Sequence, residues 1–316
     1  MAEKTCNLIL INRPMAQATQ DFHEIAKEIE AIAPEIMVAI VHAEADVARI
    51  PERFWTRPTL TVSFTLPGVF RPRRGRFYHG FPLAKFGQMK KFAAAGIPMP
   101  KTLSYRIGQP LRPEVWGEHV ILKATALDAM SNGDTAFLLR TVKVAELATV
   151  VFPEGHKARK APLLVQEFID TGLYPASYRV LTLFGEPILS MVYKMNYPRP
   201  ALDASDEELM QGTIASNKPP HYTHILEADP EVLAFARKAA RAMPRIPLQG
   251  MDFIREEKTG KLFILEVNPG GNTWHFSSKL SEEGRKEITR EQRMAQFDAW
   301  KVVARVLAER TRAEAV

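Results

Sequence analysis

The chain carries one cysteine, Cys6, in 316 residues. A single cysteine allows no internal disulfide and no cysteine-based zinc cluster, and it fits a reducing cytoplasm. Cys6 adjoins an apolar run, where a small core residue is the ordinary role of a thiol. No apolar run approaches the ~18 residues of a membrane span. The run at 7–12 is too short for a signal-peptide core and reads as a buried strand. The N-terminal region has no G-x-G-x-x-G, so the dinucleotide fingerprint is absent. Low-complexity segments and internal repeats are absent too.

Charge of one sign is also in short supply. Lys and Arg number 42 and Asp and Glu 36, a net +6. The window 71–91 alone holds seven basic residues (Arg71, Arg73, Arg74, Arg76, Lys85, Lys90, Lys91) and no acid, which leaves the rest near −1. That distribution argues against a basic coat of the nucleic-acid-binding kind and for one site or face that attracts anions. Hydrophobic residues at 46% and charged residues at 25% are ordinary globular composition, with length enough for a sizeable core.

The order of elements suggests an α/β protein. A strand at 8–11, an amphipathic helix at 17–32 and a strand at 36–41 form a strand–helix–strand start. A further strand is expected at 60–66. A helix at 82–95 ends at Gly96, with Pro98 and Pro100 preventing continuation. Strands follow at 120–123, 136–141 and 163–168, with a polar loop at 128–134 and a helix from about 144. Strands at 178–183 and 188–193 flank a turn at Gly185. After a helix at 231–242, strands at 250–254 and 262–267 form an antiparallel hairpin. The tail 281–315 reads as one packing helix, with Phe297, Trp300, Val303 and Leu307 on its apolar face.

The sharpest chemical feature is Asp252 followed by Glu266, Val267 and Asn268. Residues two apart in a strand share a face. Glu266 and Asn268 therefore project together, and a hairpin brings Asp252 alongside. Two carboxylates and an amide oxygen suit magnesium, which takes one or two carboxylates plus substrate phosphates. The alternative is a surface Asp with a Glu capping a turn. Glu266 lies among Ile264, Leu265 and Val267, where burial without a partner is costly.

Two lysines stand near apolar strand or helix ends. Lys123 closes the strand Val120, Ile121, Leu122, where it either holds a phosphate as a point charge or snorkels to solvent. Lys85 starts a helix, and helix N-termini attract anions. Gln166, Glu167, Phe168, Ile169 and Asp170 end an apolar strand. Backbone groups from Glu167 to Ile169 could meet a planar base, and Asp170 could reach a ribose; a plain strand-to-loop transition fits equally.

Together and in this order, these residues resemble the ATP-grasp superfamily across roughly 81–275. The stretch Gly96, Ile97, Pro98, Met99, Pro100, Lys101, Thr102 after Lys85 looks like the family's entry segment, and Lys123 like its second phosphate lysine. Gln166 to Ile169 looks like the adenine hinge. Arg179 and Val180 with Gly185 are similar to its hairpin motif. Asp252, Glu266 and Asn268, followed by Pro269 and Gly270, are similar to its magnesium motif. The closest branch in flavour is that of ribosomal-protein glutamate ligases and lysine-biosynthesis ligases.

The resemblance implies an ATP-grasp fold, two α+β subdomains (81–169 and 170–316) sandwiching ATP, after a small α/β domain at 1–80. It implies ATP and magnesium, or manganese in its place. The nucleotide would be held by Lys85, Lys123, Gln166, Glu167, Phe168, Ile169 and Asp170, and the metal by Asp252, Glu266 and Asn268. Arg179 and Lys194 would serve catalysis, Lys194 standing where the branch often carries an arginine. Asn217, Asn272, Trp274 and His275 would touch substrate. The implied reaction phosphorylates a carboxylate, and an amine then displaces phosphate. The implied partners are a small carboxylate and an amine, free or on a peptide, with no membrane or nucleic acid, in the cytoplasm; homo-oligomers are common in this branch. Two other functions stay open: phosphate transfer to a non-carboxylate acceptor, and a non-catalytic binding module using the loop Arg71 to Arg76.

Overall fold

The computed structural model describes residues 3–44, 50–124, 136–156, 159, 163–212, 214, 221–269 and 273–316. The chain begins with β1 (Cys6–Asn12), α1 (Thr19–Ile32), β2 (Ile36–His42), β3 (Thr59–Ser63) and β4 (Arg76–Tyr78). They form a parallel sheet of order β2-β1-β3-β4. Nearly all of β1 is buried, as its unbroken apolar run requires of a strand covered on both faces. Phe22, Ile25 and Ile29 of α1 recur at helical spacing and are fully buried.

A small antiparallel sheet follows. Its elements are α2 (Lys85–Ala94), β5 (Thr102–Tyr105), α3 (Pro113–Trp116), β6 (His119–Ala124), β7 (Ala136–Arg140), α4 (Val144–Val151) and β8 (Leu163–Glu167), with strand order β5-β8-β6-β7. Gly96 ends α2 at φ 62°, and the Ile97 N–H returns to the Phe92 carbonyl. This sheet has its own core, in which Trp116, Leu122, Leu139, Leu147, Phe152 and Val165 pack together.

The large antiparallel sheet is built from β9 (Ala176–Leu183), β10 (Glu186–Met195), β11 (Tyr222–Leu226), β12 (Leu248–Arg255) and β13 (Leu262–Asn268), in order β11-β10-β9-β12-β13. The β9–β10 turn puts both Phe184 (φ 49°) and Gly185 (φ 89°) in the left-handed region, as a two-residue hairpin loop demands. No hairpin joins β10 to β11. The chain instead crosses to the small sheet, where α5 (Asp206–Gln211) lies on β7 and Arg140 pairs with Asp206. Helix α6 (Pro230–Ala240) covers one face of the large sheet through Val232, Ala236, Val180 and Phe253.

The tail differs from the single helix expected over 281–315. It is α7 (Glu282–Glu287), α8 (Arg290–Ala295) and α9 (Ala299–Glu314). Thr289 and Gln292 form a reciprocal capping box that starts α8 afresh, and Asp298 takes φ 51° ahead of α9. Phe297 therefore precedes α9 and packs into a different core. Trp300, Val303 and Leu307 join α1, β1, β3, β9, β10 and β12 in one continuous core, so the first 80 residues share their interior with the large sheet. Among the described residues, no helix is long and apolar enough to cross a membrane.

Candidate active site

Strand register assembles the site. Across the large sheet, Met191, Arg179, Asp252 and Glu266 stand in one row, each directly opposite the next. Gly250 pairs with Asn268 two positions along, on the same face. Val267, between the two donors of β13, is buried on the other side. A bulge between Asp252 and Phe253 re-aims the strand just beyond the row.

Arg179 grips Asp252 with two parallel bonds, one from Nε to Oδ1 and one from Nη2 to Oδ2 at 2.8 Å. Burial opposes charge on Arg179, but the carboxylate outweighs it and raises the guanidinium above its ordinary value. Burial likewise pushes the Asp252 carboxyl up while Arg179 pulls it down. Because arginine does not deprotonate in proteins and the geometry is bidentate, the two form an ion pair. The Asn268 amide nitrogen lies 3.4 Å from Asp252 Oδ2, which leaves the Asn268 carbonyl oxygen turned to other partners.

Two lysines face this row, Lys85 from the start of α2 and Lys123 from β6 of the small sheet. Lys85 Nζ comes within 3.6 Å of Glu266 Oε2. Lys123 Nζ donates to Gln166 Oε1 at 2.6 Å, and Gln166 Nε2 to Thr102 Oγ1 at 2.7 Å. Burial, reinforced by the neighbouring Lys85 and opposed by Glu266, pushes Lys123 down to about 7. Two cations crowd together here with one exposed carboxylate. A cavity beside them is lined by Met89, Met99, Thr102 and Leu265, with Lys85 and Gln166 at its polar edge.

The donor set fits a hard divalent ion. A carboxylate offers about four lone-pair positions. Asp252 uses two on Arg179 and faces Asn268 with a third, while Glu266 has only the loose Lys85 contact. Two carboxylates and an amide oxygen therefore retain acceptor capacity on one face. Among the described residues there is no group of three or more His, Cys, Asp or Glu that could hold a metal.

The hinge residues lie at the end of β8. Glu167 closes a loop with Lys101, its carboxylate accepting from the Lys101 N–H at 3.1 Å. The Phe168 ring lies between His119 (6.2 Å) and the Arg199 guanidinium (6.0 Å), and Ile169 is buried. The Asp170 carboxylate already accepts from Arg199 at 3.0 Å through both oxygens, and from the Gly172 N–H at 3.0 Å.

Two expectations are corrected. Lys194 pairs with Ala176 and so points away from the face of Arg179; it is exposed, with Nζ 6.0 Å from the Tyr174 ring. Strand alternation puts Tyr193 on the site face instead, its ring 5.9 Å from the Arg179 guanidinium. Trp274 is fully buried, not in contact with a cleft. Its indole stacks on Trp300 at 5.6 Å and donates to Asp21 Oδ2 at 2.7 Å. His275, by contrast, reaches Arg179 Nη1 at 3.4 Å. Asn217, Asn272 and the 128–134 loop lie outside the described residues.

The basic loop before α2 is tied to its own chain. Arg71 donates to the carbonyls of Gly68 and Phe70, Arg74 to that of Trp55, and Arg73 and Arg76 pair with Glu52 and Glu314. Lys90 and Lys91 are exposed on α2. Sequence reasoning missed Gln88, whose side chain ties α2 to the Val267 N–H at 2.9 Å. It also missed Tyr193 and Arg199. Alternation from Arg179 through the β9–β10 register was the available signal for Tyr193; Gln88 and Arg199 had none.

No protein-family model and no curated protein sequence matches the chain. Solved structures do. The D-cycloserine synthetase DcsG superposes with a TM-score of 0.50 at 15% identity, covering 96% of this chain and 99% of that one. The ATP-grasp ligase PsnB, complexed with a minimal precursor, gives 0.51 at 15% identity, covering 98% and 100%. The chain has the ATP-grasp fold over 96–98% of its length.

Proposed function

We propose that the protein is an ATP-dependent ligase that joins a carboxylate to an amine through an acyl phosphate, in the branch of the ribosomal-protein glutamate and lysine-biosynthesis ligases. The observation that carries this reading is the convergence of Lys85, at the start of α2, and Lys123, on β6 of the small sheet, on the Glu266 end of the Arg179–Asp252–Glu266 row. Such a cleft, cationic on one wall and rich in acceptors on the other, suits a polyphosphate with a divalent ion. In support, PsnB was solved with magnesium, ADP and a minimal precursor.

In this reading the base lies at the end of β8, against backbone groups of Glu167 to Ile169, with the small apolar void lined by Met89, Met99 and Leu265 beside the two lysines. Lys85 and Lys123 hold phosphate oxygens as point charges. Asp252, Glu266 and Asn268 hold magnesium, which when bound neutralises charge on the transferring phosphoryl group. Arg179, fixed in plane by Asp252, directs its remaining N–H groups to the same charge. The acid and amine meet on the Arg179 and Tyr193 side of the row. Catalysis is positioning and charge stabilisation, with no protein nucleophile.

The test is release of ADP and phosphate from Mg-ATP with panels of acids and amines. Release that requires one acid and one amine, with an amide product, is expected. A phosphorylated product stable to hydroxylamine, or release without an amide, contradicts the proposal.

A further inference from the structure

We propose that His275 is a positioning residue for Arg179, whose Nε2 acceptor fixes the rotation of the guanidinium so that its free N–H groups face the transferring phosphoryl group. This rests on the nucleotide site proposed above and deepens it.

The donor count on Arg179 is the starting point. A guanidinium has five N–H groups. Nε and one hydrogen of Nη2 go to Asp252, and one hydrogen of Nη1 meets His275 Nε2 at 3.4 Å. Two N–H groups remain, one on each terminal nitrogen. Asp252 alone holds one edge of the guanidinium. A second contact on Nη1 stops the group from tilting about that edge.

The imidazole is held for this task. Arginine has no acceptor, so His275 Nε2 must carry the lone pair and Nδ1 the proton. Nδ1 then donates to Ser281 Oγ at 2.6 Å, and Ser278 Oγ lies 3.1 Å from the same oxygen. Arg293 clamps the His275 carbonyl at 3.0 Å and also donates to the Ile288 and Gly284 carbonyls. Burial keeps the ring neutral, and so do the arginines around it, Arg179 on β9, Arg293 on α8 and Arg285 on α7; the remaining titratable neighbour is His224 on β11. A histidine that only filled space would not need its one acceptor turned to a cation.

The test compares affinities for Mg-AMPPNP and Mg-ADP in the wild type, His275→Ala and His275→Gln, with melting temperatures alongside. Only AMPPNP carries the third phosphoryl group. His275→Ala is expected to weaken AMPPNP about tenfold and ADP less than twofold. His275→Gln, whose Oε1 replaces Nε2 as acceptor, restores most of the loss. Equal loss for both ligands, no loss for either, or no rescue by glutamine overturns the proposal. Nitrogen-15 NMR of the wild-type imidazole is the arm that does not depend on nucleotide or on variant folding: a protonated Nδ1 and a bare Nε2 are expected, and a protonated Nε2 overturns it. A wild type that binds neither nucleotide would sink the nucleotide site, with the NMR arm still deciding the Arg179–His275 contact.

Discussion

Nucleotide binding is expected to take up a proton, because Lys123 is poised to lose its charge. Burial and Lys85 hold it at about 7. A polyphosphate beside it favours the ammonium and returns it toward the ordinary lysine value of about 10.4. The sign follows from that difference. A lysine lowered in the free protein binds anions best below its own pKa, and affinity falls as pH rises toward the pKa of the complex. At pH 7.5 roughly three-quarters of Lys123 is neutral in the free protein, so binding takes up about 0.75 proton. Between pH 7.5 and 9 the affinity falls about 25-fold, or about 1.9 kcal/mol. Isothermal titration of Mg-AMPPNP in buffers of different ionisation enthalpy measures the uptake, and repeating it across this pH range measures the fall. Lys123→Met should bind more weakly at pH 7.5 and lose most of both effects. Proton uptake near zero with pH-independent affinity in the wild type would refute the reasoning.

Further outcomes can be checked with standard assays. Glu266→Gln keeps the side chain's shape but removes an anionic metal donor; turnover is expected to drop at least ~100-fold with a raised magnesium requirement, and near-normal turnover would falsify the metal assignment. Lys194→Ala removes an exposed charge on the far face, and turnover is expected within about twofold of wild type; a hundredfold loss would restore Lys194 to the site. Trp274→Ala opens a hole among Phe64, Phe276 and Trp300 and removes the indole bond to Asp21, which keeps Arg290 and Ser277. It is expected to cost ~3–5 kcal/mol in denaturant unfolding, and a stable variant with altered substrate choice would contradict the buried placement.

Period-two spacing made the site row legible. Glu266 and Asn268 fall on one face because strands alternate, and a short turn had to return Asp252 beside them. Lys85 and Lys123 were visible as charges at the edge of apolar runs. What was not legible depends on long-range pairing. Trp274 looks like a loop aromatic until Asp21 and Trp300 close on it from other parts of the chain. Lys194 and Tyr193 are neighbours, and only the β9–β10 register says which one faces Arg179. The tail has helical periodicity across 297–307, yet a capping box at Thr289 and a left-handed Asp298 break it, and local caps override a weak periodic signal. The basic loop at 71–76 advertised an anion site, but its arginines bond carbonyls and carboxylates of the same chain.

The central claim is that phosphate passes through a carboxylate on its way out of ATP. Substrate acid labelled with oxygen-18 in its carboxyl group tests this directly, with the released phosphate read by phosphorus NMR or mass spectrometry. One carboxyl oxygen is expected in each phosphate released as the amide forms. Unlabelled phosphate, or label retained in a stable phosphorylated product, would contradict the account.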